Sequence, residues 1–417
     1  MDIKRDEYLN KLLRRRNNGL IKVVTGIKGC GKSYLLFHIF HNHLISEGIP
    51  EDHILEVALD DRSNKALRDP DEMLKYIKNK IVDKDMYYII LDEVQYMNEF
   101  EDVLNSFLHI PNCDVYVTGS NSKFLSSDVI TEFRGRGDEI CIHPLSFSEF
   151  ISAYQGQQEN ASDEYMVYGG LPIILSLSET EDKTAYLKDL FNKVYLSDIV
   201  ERHHIRNKDK LDELVDVLSS SIGSYASISK LTRTFKSVKQ AEITDKTIKK
   251  YIDYLIDSFL VNKAVRYDIK GRKHIGSSSK YYFEDIGLRN ARLEFRQVEE
   301  PHIMENIIYN ELRIRGYDVD IGMMDKFEKL SSGKVERKHL EVDFIATKGS
   351  EKHYIQSSFA ISSIEKWNQE KRSLISIPDS FQKLIVLGHY QEVRRDENGI
   401  VTMGLPNFLL DKNSLNR

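Results

Sequence analysis

Cysteine is scarce, with only Cys30, Cys113 and Cys141 in a chain of 417 residues. Their spacings match neither a zinc-ligand pattern nor a disulfide framework, so both scaffold classes drop out and the thiols are expected to be reduced and structural. Long apolar runs are also missing. No stretch approaches the ~18 residues of a bilayer-spanning helix, and Met1-Asp2-Ile3-Lys4-Arg5-Asp6 lacks the apolar core of a signal peptide. A cytoplasmic protein with no membrane partner is expected. Low-complexity tracts are absent, and 41% hydrophobic against 30% charged residues argues for packed cores over disorder. There is no excess of positive charge either. A net charge of -6 leaves nucleic-acid binding to a local basic patch. At ~100 to 200 residues per domain the length calls for several domains.

Leu20-Ile21-Lys22-Val23-Val24-Thr25 reads as a short buried strand that runs straight into Gly26-Ile27-Lys28-Gly29-Cys30-Gly31-Lys32-Ser33. From Ser33 to Phe40 apolar residues then recur at helical spacing. Strand, glycine loop and helix in this order make a phosphate cradle. Glycines let backbone N–H groups curl around phosphate oxygens, and the helix N-terminus favours negative charge. Nucleotide contacts are therefore expected from Gly26, Gly29, Cys30, Gly31, Lys32, Ser33 and Tyr34, with ATP and Mg²⁺ as cofactors. Lys32 is expected to reach the β- and γ-phosphates, and Ser33 to ligate Mg²⁺. A second apolar run, Tyr87-Tyr88-Ile89-Ile90-Leu91, ends in Asp92-Glu93, which puts two carboxylates at the C-terminal edge of a sheet. Asp92 is expected to hold Mg²⁺ through water. Glu93 is expected to polarise the attacking water, the task that separates a hydrolase from a binder.

Asp114-Val115-Tyr116-Val117-Thr118 is a further strand, and Gly119-Ser120-Asn121-Ser122 follows it. One of Thr118, Ser120 and Asn121 is expected to orient the water or touch the γ-phosphate; the alternative is a polar turn with an N-cap at Ser122. Arg136, on the glycine turn Arg134-Gly135-Arg136-Gly137, is the candidate to bring charge to the phosphate of its own or a neighbouring subunit, with Arg134 behind it. An ordinary surface arginine is the alternative. A finger supplied in trans implies a homo-oligomer.

These residues resemble the AAA-type ATPases of bacteria and archaea that carry a C-terminal domain catalogued as DUF4143. The matching text is GIKGCGKSYLL from Gly26, YYIILDEVQ from Tyr87, VTGSNS from Val117 and RGRGDEICIHPLSFSEF from Arg134. It continues with YGGLP from Tyr168, VYLSDIVERH from Val194, YYFEDIGLRNA from Tyr281 and HIMENIIYNEL from His302. The resemblance spans nearly the whole chain, with Lys28 at a place where family members often carry Arg.

Between Pro144 and about Arg206 the residues read as helices broken at Gly169-Gly170-Leu171-Pro172, similar to the lid of an AAA-type module. Leu211, Leu214, Val215, Val217, Leu218 and Ile222 then form a helical stripe, Ile228 to Phe235 suits a short helix, and Thr244 caps a third. Val261 to Tyr267 and Lys280 to Phe283, joined by Lys270-Gly271-Arg272-Lys273, add a hairpin, so the region resembles a winged helix. From Lys230 to Lys280 thirteen basic residues stand against five acidic ones, a footprint for DNA phosphates. Protein contacts are the alternative use of this surface.

The last segment resembles the restriction-endonuclease-like fold, with Glu305 or Glu311 on a helix, Asp343 on a strand and Gln356-Ser357-Ser358 where an acidic residue and a Lys would normally stand. Without those two groups a metal loses a hard ligand and the nucleophile loses its support, so cleavage is expected to be lost. Lys383 on a later strand is the one candidate for a migrated lysine. The whole is thus expected to be an α/β chain: a P-loop NTPase parallel sheet over 1–150, a helical lid over 151–206, a winged-helix-like domain over 207–285 and the endonuclease-like domain over 286–417. The expected activity is ATP hydrolysis that switches or moves a DNA-contacting C-terminal half. The alternative is a slow nucleotide-gated adaptor for a protein partner; a small-molecule kinase is disfavoured by the Asp92-Glu93 pair and the large C-terminal half.

Overall fold

Alternation of side chains decides how the first part of the chain folds. Along β1 (Ile21–Thr25), β2 (Ile54–Ala58), β3 (Tyr87–Asp92) and β4 (Cys113–Thr118) successive residues point to opposite faces. Ile21, Val23, Leu55, Val57, Ile89, Leu91, Val115 and Val117 join one core with Met73 and Ile77 of the helix Pro70–Lys80 and with Val103, Leu104 and Phe107 of the helix Phe100–Phe107. On the opposite face Tyr88 and Tyr116 meet the ring of Phe40, with centroids 6.4 and 4.6 Å away. Burial on both faces is why these strands are mostly apolar, and why the charged Lys22 of β1 is paired with Asp114 of β4. With β5 (Gly137–Cys141) the described strands run in the order β2-β3-β4-β1-β5, all parallel. Such a sheet gathers the C-terminal ends of its strands on one edge.

The computed structural model describes residues 3–119, 135–238, 243–297, 299–329 and 335–417. The chain divides into two units: Met1–Pro144 with Asp257–Phe259, and Leu145–Ile256 with Leu260–Arg417. The helices Ala161–Tyr168, Thr180–Asp189 and Ser197–Arg202, expected to cap the nucleotide-binding part, cluster with the C-terminal half. The reason is the helix Ile286–Arg292, buried over most of its length, which packs on the first two of them. Asn290 donates to Met166 O at 3.0 Å and Val167 O at 2.9 Å, and Asp285 accepts the Gly170 N–H at 2.7 Å. The glycine turn is what permits this approach. Gly169 has φ +77°, and a Cβ there would lie 2.3 Å from an Asp285 oxygen.

The helices Lys208–Ser220, Ile228–Val238 and Asp245–Asp257 form as read, with Thr244 Oγ1 accepting the Thr247 N–H at 3.2 Å. The strands that follow differ from a free wing. β6 (Val261–Asp268) and β7 (Lys273–Phe283) pair antiparallel, and Arg266 to Asp268 of β6 pair in parallel with Ile321 to Met323 of β8 (Asp318–Lys329). The turn between them is tied down as well, since Asp268 accepts the Lys270 and Gly271 N–H groups and Lys270 Nζ donates to Asp325 O at 2.9 Å. β9 (Val335–Lys348), β10 (Glu351–Ser358), β11 (Gln382–Leu387), β12 (Arg394–Arg395) and β13 (Ile400–Gly404) complete the sheet. Its order is β12-β13-β11-β10-β9-β8-β6-β7, eight strands among the described residues.

Candidate functional site

The loop after β1 owes its path to its glycines. Gly26, Gly29 and Gly31 have φ of +141°, +83° and +100°, values that side chains resist. At Gly26 space is also decisive, because a Cβ would come within 2.1 Å of Ile142 O. Lys32 is 5% exposed and its Nζ donates to Gly26 O at 3.0 Å and Ile27 O at 3.3 Å, so the ammonium is folded back over the loop. Tyr34, 36% exposed, lies two residues on. The helix that begins at Lys32 widens into a π-type segment over Leu35–Phe40 before continuing as His41–Ser46. That interruption was not readable from its regular apolar spacing.

One residue of this loop's support escaped the sequence reading. Arg5, also 5% exposed, donates from Nη1 to Cys30 O at 3.0 Å and from Nη2 to His143 O at 2.8 Å. The C=O and N–H of a trans peptide point in opposite directions. Fixing Cys30 O therefore turns the Gly31 N–H away from Arg5, which sets one donor of the cradle.

At the neighbouring strand ends Asp92, 5% exposed, accepts a hydrogen bond from Thr118 Oγ1, and the Ser33 hydroxyl also bonds it. Burial pushes the Asp92 carboxyl up from its ordinary range; Thr118 and Ser33 oppose this, and the Glu93 and Asp60 charges add to it. Glu93 adopts φ +53°, a left-handed backbone that costs a non-glycine residue energy and is a frequent mark of functional sites. Its N–H donates to Thr118 Oγ1 at 2.9 Å, and Gln95 Nε2 donates to its carboxylate. Gln95 was not singled out in the sequence; its place two residues after Glu93 was the available signal.

Thr118 is placed between the two acidic residues by this geometry. It is 0% exposed, and its hydroxyl donates to Asp92 and accepts the Glu93 N–H, so in this structure it fixes the acidic pair. Ser120, Asn121, Ser122 and Arg134 lie outside the described residues. For Arg136 the geometry bears on the own-subunit alternative alone. Arg136 precedes β5, and its carbonyl accepts the N–H of Ile21 at the start of β1 at 2.8 Å, whereas the glycine loop leaves the other end of β1. In a parallel sheet those are opposite edges. Arg136 cannot serve its own subunit's phosphates.

The second unit holds two charged features. Lys249 of the helix Asp245–Asp257 and Lys263 of β6 line a cavity of about 250 Å³ together with Ser227, Ser278 and Asp253. Lys280, counted in the sequence among the basic residues, is 5% exposed and belongs elsewhere. Its Nζ lies 2.9 Å from Glu305 Oε1 and 2.8 Å from Glu341 Oε1. Tyr282 O–H donates to Glu305 at 2.6 Å, and Asp343 accepts Ser357 N–H at 2.7 Å and Ser357 Oγ at 2.9 Å. Burial and the nearby Glu305 charge push Asp343 up to about 7, against the pull of Lys280. Of the two helix glutamates it is Glu305 that stands by Asp343, since Glu311 pairs with Arg315 at 2.7 Å. Lys383 is no migrated lysine, because its Nζ donates to Ile377 O at 2.9 Å.

Residues 18–151 match the family model described as AAA domain, and residues 159–299 match the Domain of unknown function (DUF8612). The second match replaces the DUF4143 domain that the resemblance implied. The chain is 30% identical over 414 residues to an uncharacterized protein of Haemophilus influenzae, a match that covers 98% of both chains. It is 28% identical over 375 residues to an uncharacterized protein of Methanocaldococcus jannaschii, covering 86% of this chain and 79% of that one. Among solved structures, the Aeropyrum pernix ORC1 protein in complex with DNA shares 13% identity over 70% of this chain and 93% of that chain, a distant likeness with a TM-score of 0.32. No described helix is long and apolar enough to cross a membrane.

Proposed function

Because the chain belongs to the family of the Haemophilus influenzae protein that it matches over 98% of its length, and opens with an AAA domain, we propose that it binds ATP with Mg²⁺ and hydrolyses it. The observation that carries this reading is the folded-back ammonium of Lys32. It rests on two neutral carbonyls in a loop whose glycines bar side chains, so an incoming triphosphate offers it stronger, charged acceptors. The Ser33 hydroxyl and Asp92 carboxylate are hard oxygen groups already in contact, the donor chemistry that suits Mg²⁺. Mg²⁺, when bound there, neutralises charge on the phosphate oxygens. Ser33 would ligate it directly and Asp92 through water.

Glu93 sits beside this pair as the general base. Thr118 locks its backbone, and Gln95 holds its carboxylate until a water takes that hydrogen bond. A charge-supplying arginine would have to come from another copy, which is the remaining role for Arg136 and the reason to propose a homo-oligomer. The C-terminal half is read as the moved part, with the helical segment 151–206, a winged-helix-like segment 207–285 and an endonuclease-like segment 286–417 that has lost cleavage. Lys249 and Lys263 at their shared cavity support DNA as its partner.

The test is ATP turnover by the purified chain with and without single- and double-stranded DNA. Turnover that DNA raises several-fold is the expected result. Absence of any turnover defeats the hydrolase reading. Turnover indifferent to DNA, with no DNA bound at low salt, defeats the DNA coupling and favours a protein-binding adaptor.

A further inference from the structure

The carboxylate cluster of the second unit gathers residues distant in sequence. Glu305 comes from the helix Glu300–Ile314, Glu341 and Asp343 from one face of β9, and Lys280 from β7. Glu305 and Asp343 are each 8% exposed, and Glu341 opens the cluster to solvent with a third of its side chain accessible. Gly223, at φ +68°, lets the chain close over Glu305; a Cβ there would be 3.0 Å from its Oε2. Three carboxylates so placed repel one another strongly in a low dielectric unless a cation lies among them. Lys280 supplies one. It bridges Glu305 and Glu341, and the ring of Tyr225, 5.4 Å from Nζ, covers it on a further side.

We infer that the Lys280 ammonium is the resident cation of this cluster and occupies the position beside Glu305 and Glu341, next to Asp343, that a divalent metal ion would have to take. The geometry fits that substitution. Glu305 Oε1 receives both Lys280 Nζ and Tyr282 O–H, and Asp343 Oδ2 receives both Ser357 donors, so one oxygen of each carboxylate that a hard ion would use already carries two protein hydrogens. Among the described residues no group of three or more His, Cys, Asp or Glu side chains is arranged to hold a metal. Burial works against the ammonium, yet the Glu305, Asp343 and Glu341 charges raise its pKa above the ordinary lysine value, so it stays charged. Its consequence is that the second unit needs no metal to fold and does no metal-dependent chemistry at these carboxylates. This holds whether or not ATP is hydrolysed.

The experiment is a Mn²⁺ titration of the nucleotide-free full chain, followed by electron paramagnetic resonance, on wild type, Lys280→Ala and Lys280→Arg, each with and without Asp343→Asn. Expected is no saturable site dependent on Asp343 in wild type or Lys280→Arg, and one additional site in Lys280→Ala that adding Asp343→Asn removes. Saturable Mn²⁺ binding in wild type that Asp343→Asn removes would overturn the inference. So would a folded Lys280→Ala chain that takes up no additional Mn²⁺. Should Lys280→Ala fail to fold, wild type and Lys280→Arg still decide: Mn²⁺ held through Asp343 in either contradicts a resident ammonium, and its absence, with folding unaffected by a chelator, supports it.

Discussion

Two lysines of this chain are equally buried and differ in what they hold. Lys32 and Lys280 are each 5% exposed. Lys32 donates to the neutral carbonyls of Gly26 and Ile27, while Lys280 bridges the charged groups of Glu305 and Glu341. A hydrogen bond to a neutral acceptor is worth about half one to a charged acceptor, so an arriving phosphate can draw the first lysine out. The second already has its counter-ions. Burial alone therefore does not say whether a cation is functional; the charge of its acceptors does.

The two largest expected effects of breaking the comparison are at Lys32 and Lys280. Lys32→Ala should weaken ATP binding on the order of 100-fold, since it removes the cation placed for the β- and γ-phosphates, while leaving chain stability nearly unchanged. Isothermal titration with ATP and a urea melt read the two halves of that statement. Lys280→Ala should do the reverse. Leaving buried carboxylates without their cation should cost the second unit about 3–5 kcal/mol, with ATP affinity of the folded fraction unchanged. Urea midpoints alongside ATP titration check it, and equal effects of both substitutions on both readouts would erase the contrast.

Arg5→Ala should act at an intermediate level. It frees the Cys30 carbonyl and with it the orientation of the Gly31 N–H, so the KM for ATP should rise about 10-fold while kcat at saturation stays within about twofold. Arg5→Lys should recover part of the loss, and a fall in kcat alone would remove Arg5 from the phosphate cradle. The smallest effect is electrostatic. Burial pushes Asp285 up to about 6, against three backbone N–H groups that favour its charged form, with Glu284 raising it further. A carboxyl raised on folding keeps its proton longer in the native state. Its contribution is thus fully present below the unfolded value near ~3.9 and is lost as pH rises through the folded value. Asp285→Asn keeps an N-cap acceptor for the Leu288 N–H and should abolish ~1–2 kcal/mol of declining stability between about pH 4.5 and about pH 7.5. Urea midpoints across that range measure it.

The first unit was legible because its site is local. Strand, glycine loop, Lys32 and Ser33 are consecutive, and the Asp92-Glu93 pair ends a strand whose apolar run is visible by eye. Arg136 shows where local reading left two alternatives that topology separates. Its glycine neighbours suggested a mobile finger, yet it precedes a strand parallel to β1, and that order alone sends it to the edge opposite the glycine loop. The endonuclease-like reading picked out Glu305 and Asp343 but looked for a lysine after Gln356, because the partner that matters, Lys280, is 25 residues before Glu305 on another element. A lysine next to Tyr281-Tyr282-Phe283, inside a buried strand, was the signal available. The hairpin resembled a free wing because pairing of β6 with β8 is set by residues more than fifty positions apart. Arg5 left still less trace, since nothing in its neighbourhood marks it as reaching Cys30.

The measurement that bears most directly on the first unit is ATP retention and turnover by Glu93→Gln beside wild type. The Gln side chain preserves shape and leaves Lys32, Ser33 and Asp92 in place but cannot accept the proton of an attacking water. The variant should hold ATP with wild-type affinity, and its turnover should fall about 100-fold or more. Hydrolysis by Glu93→Gln at the wild-type rate would contradict the account.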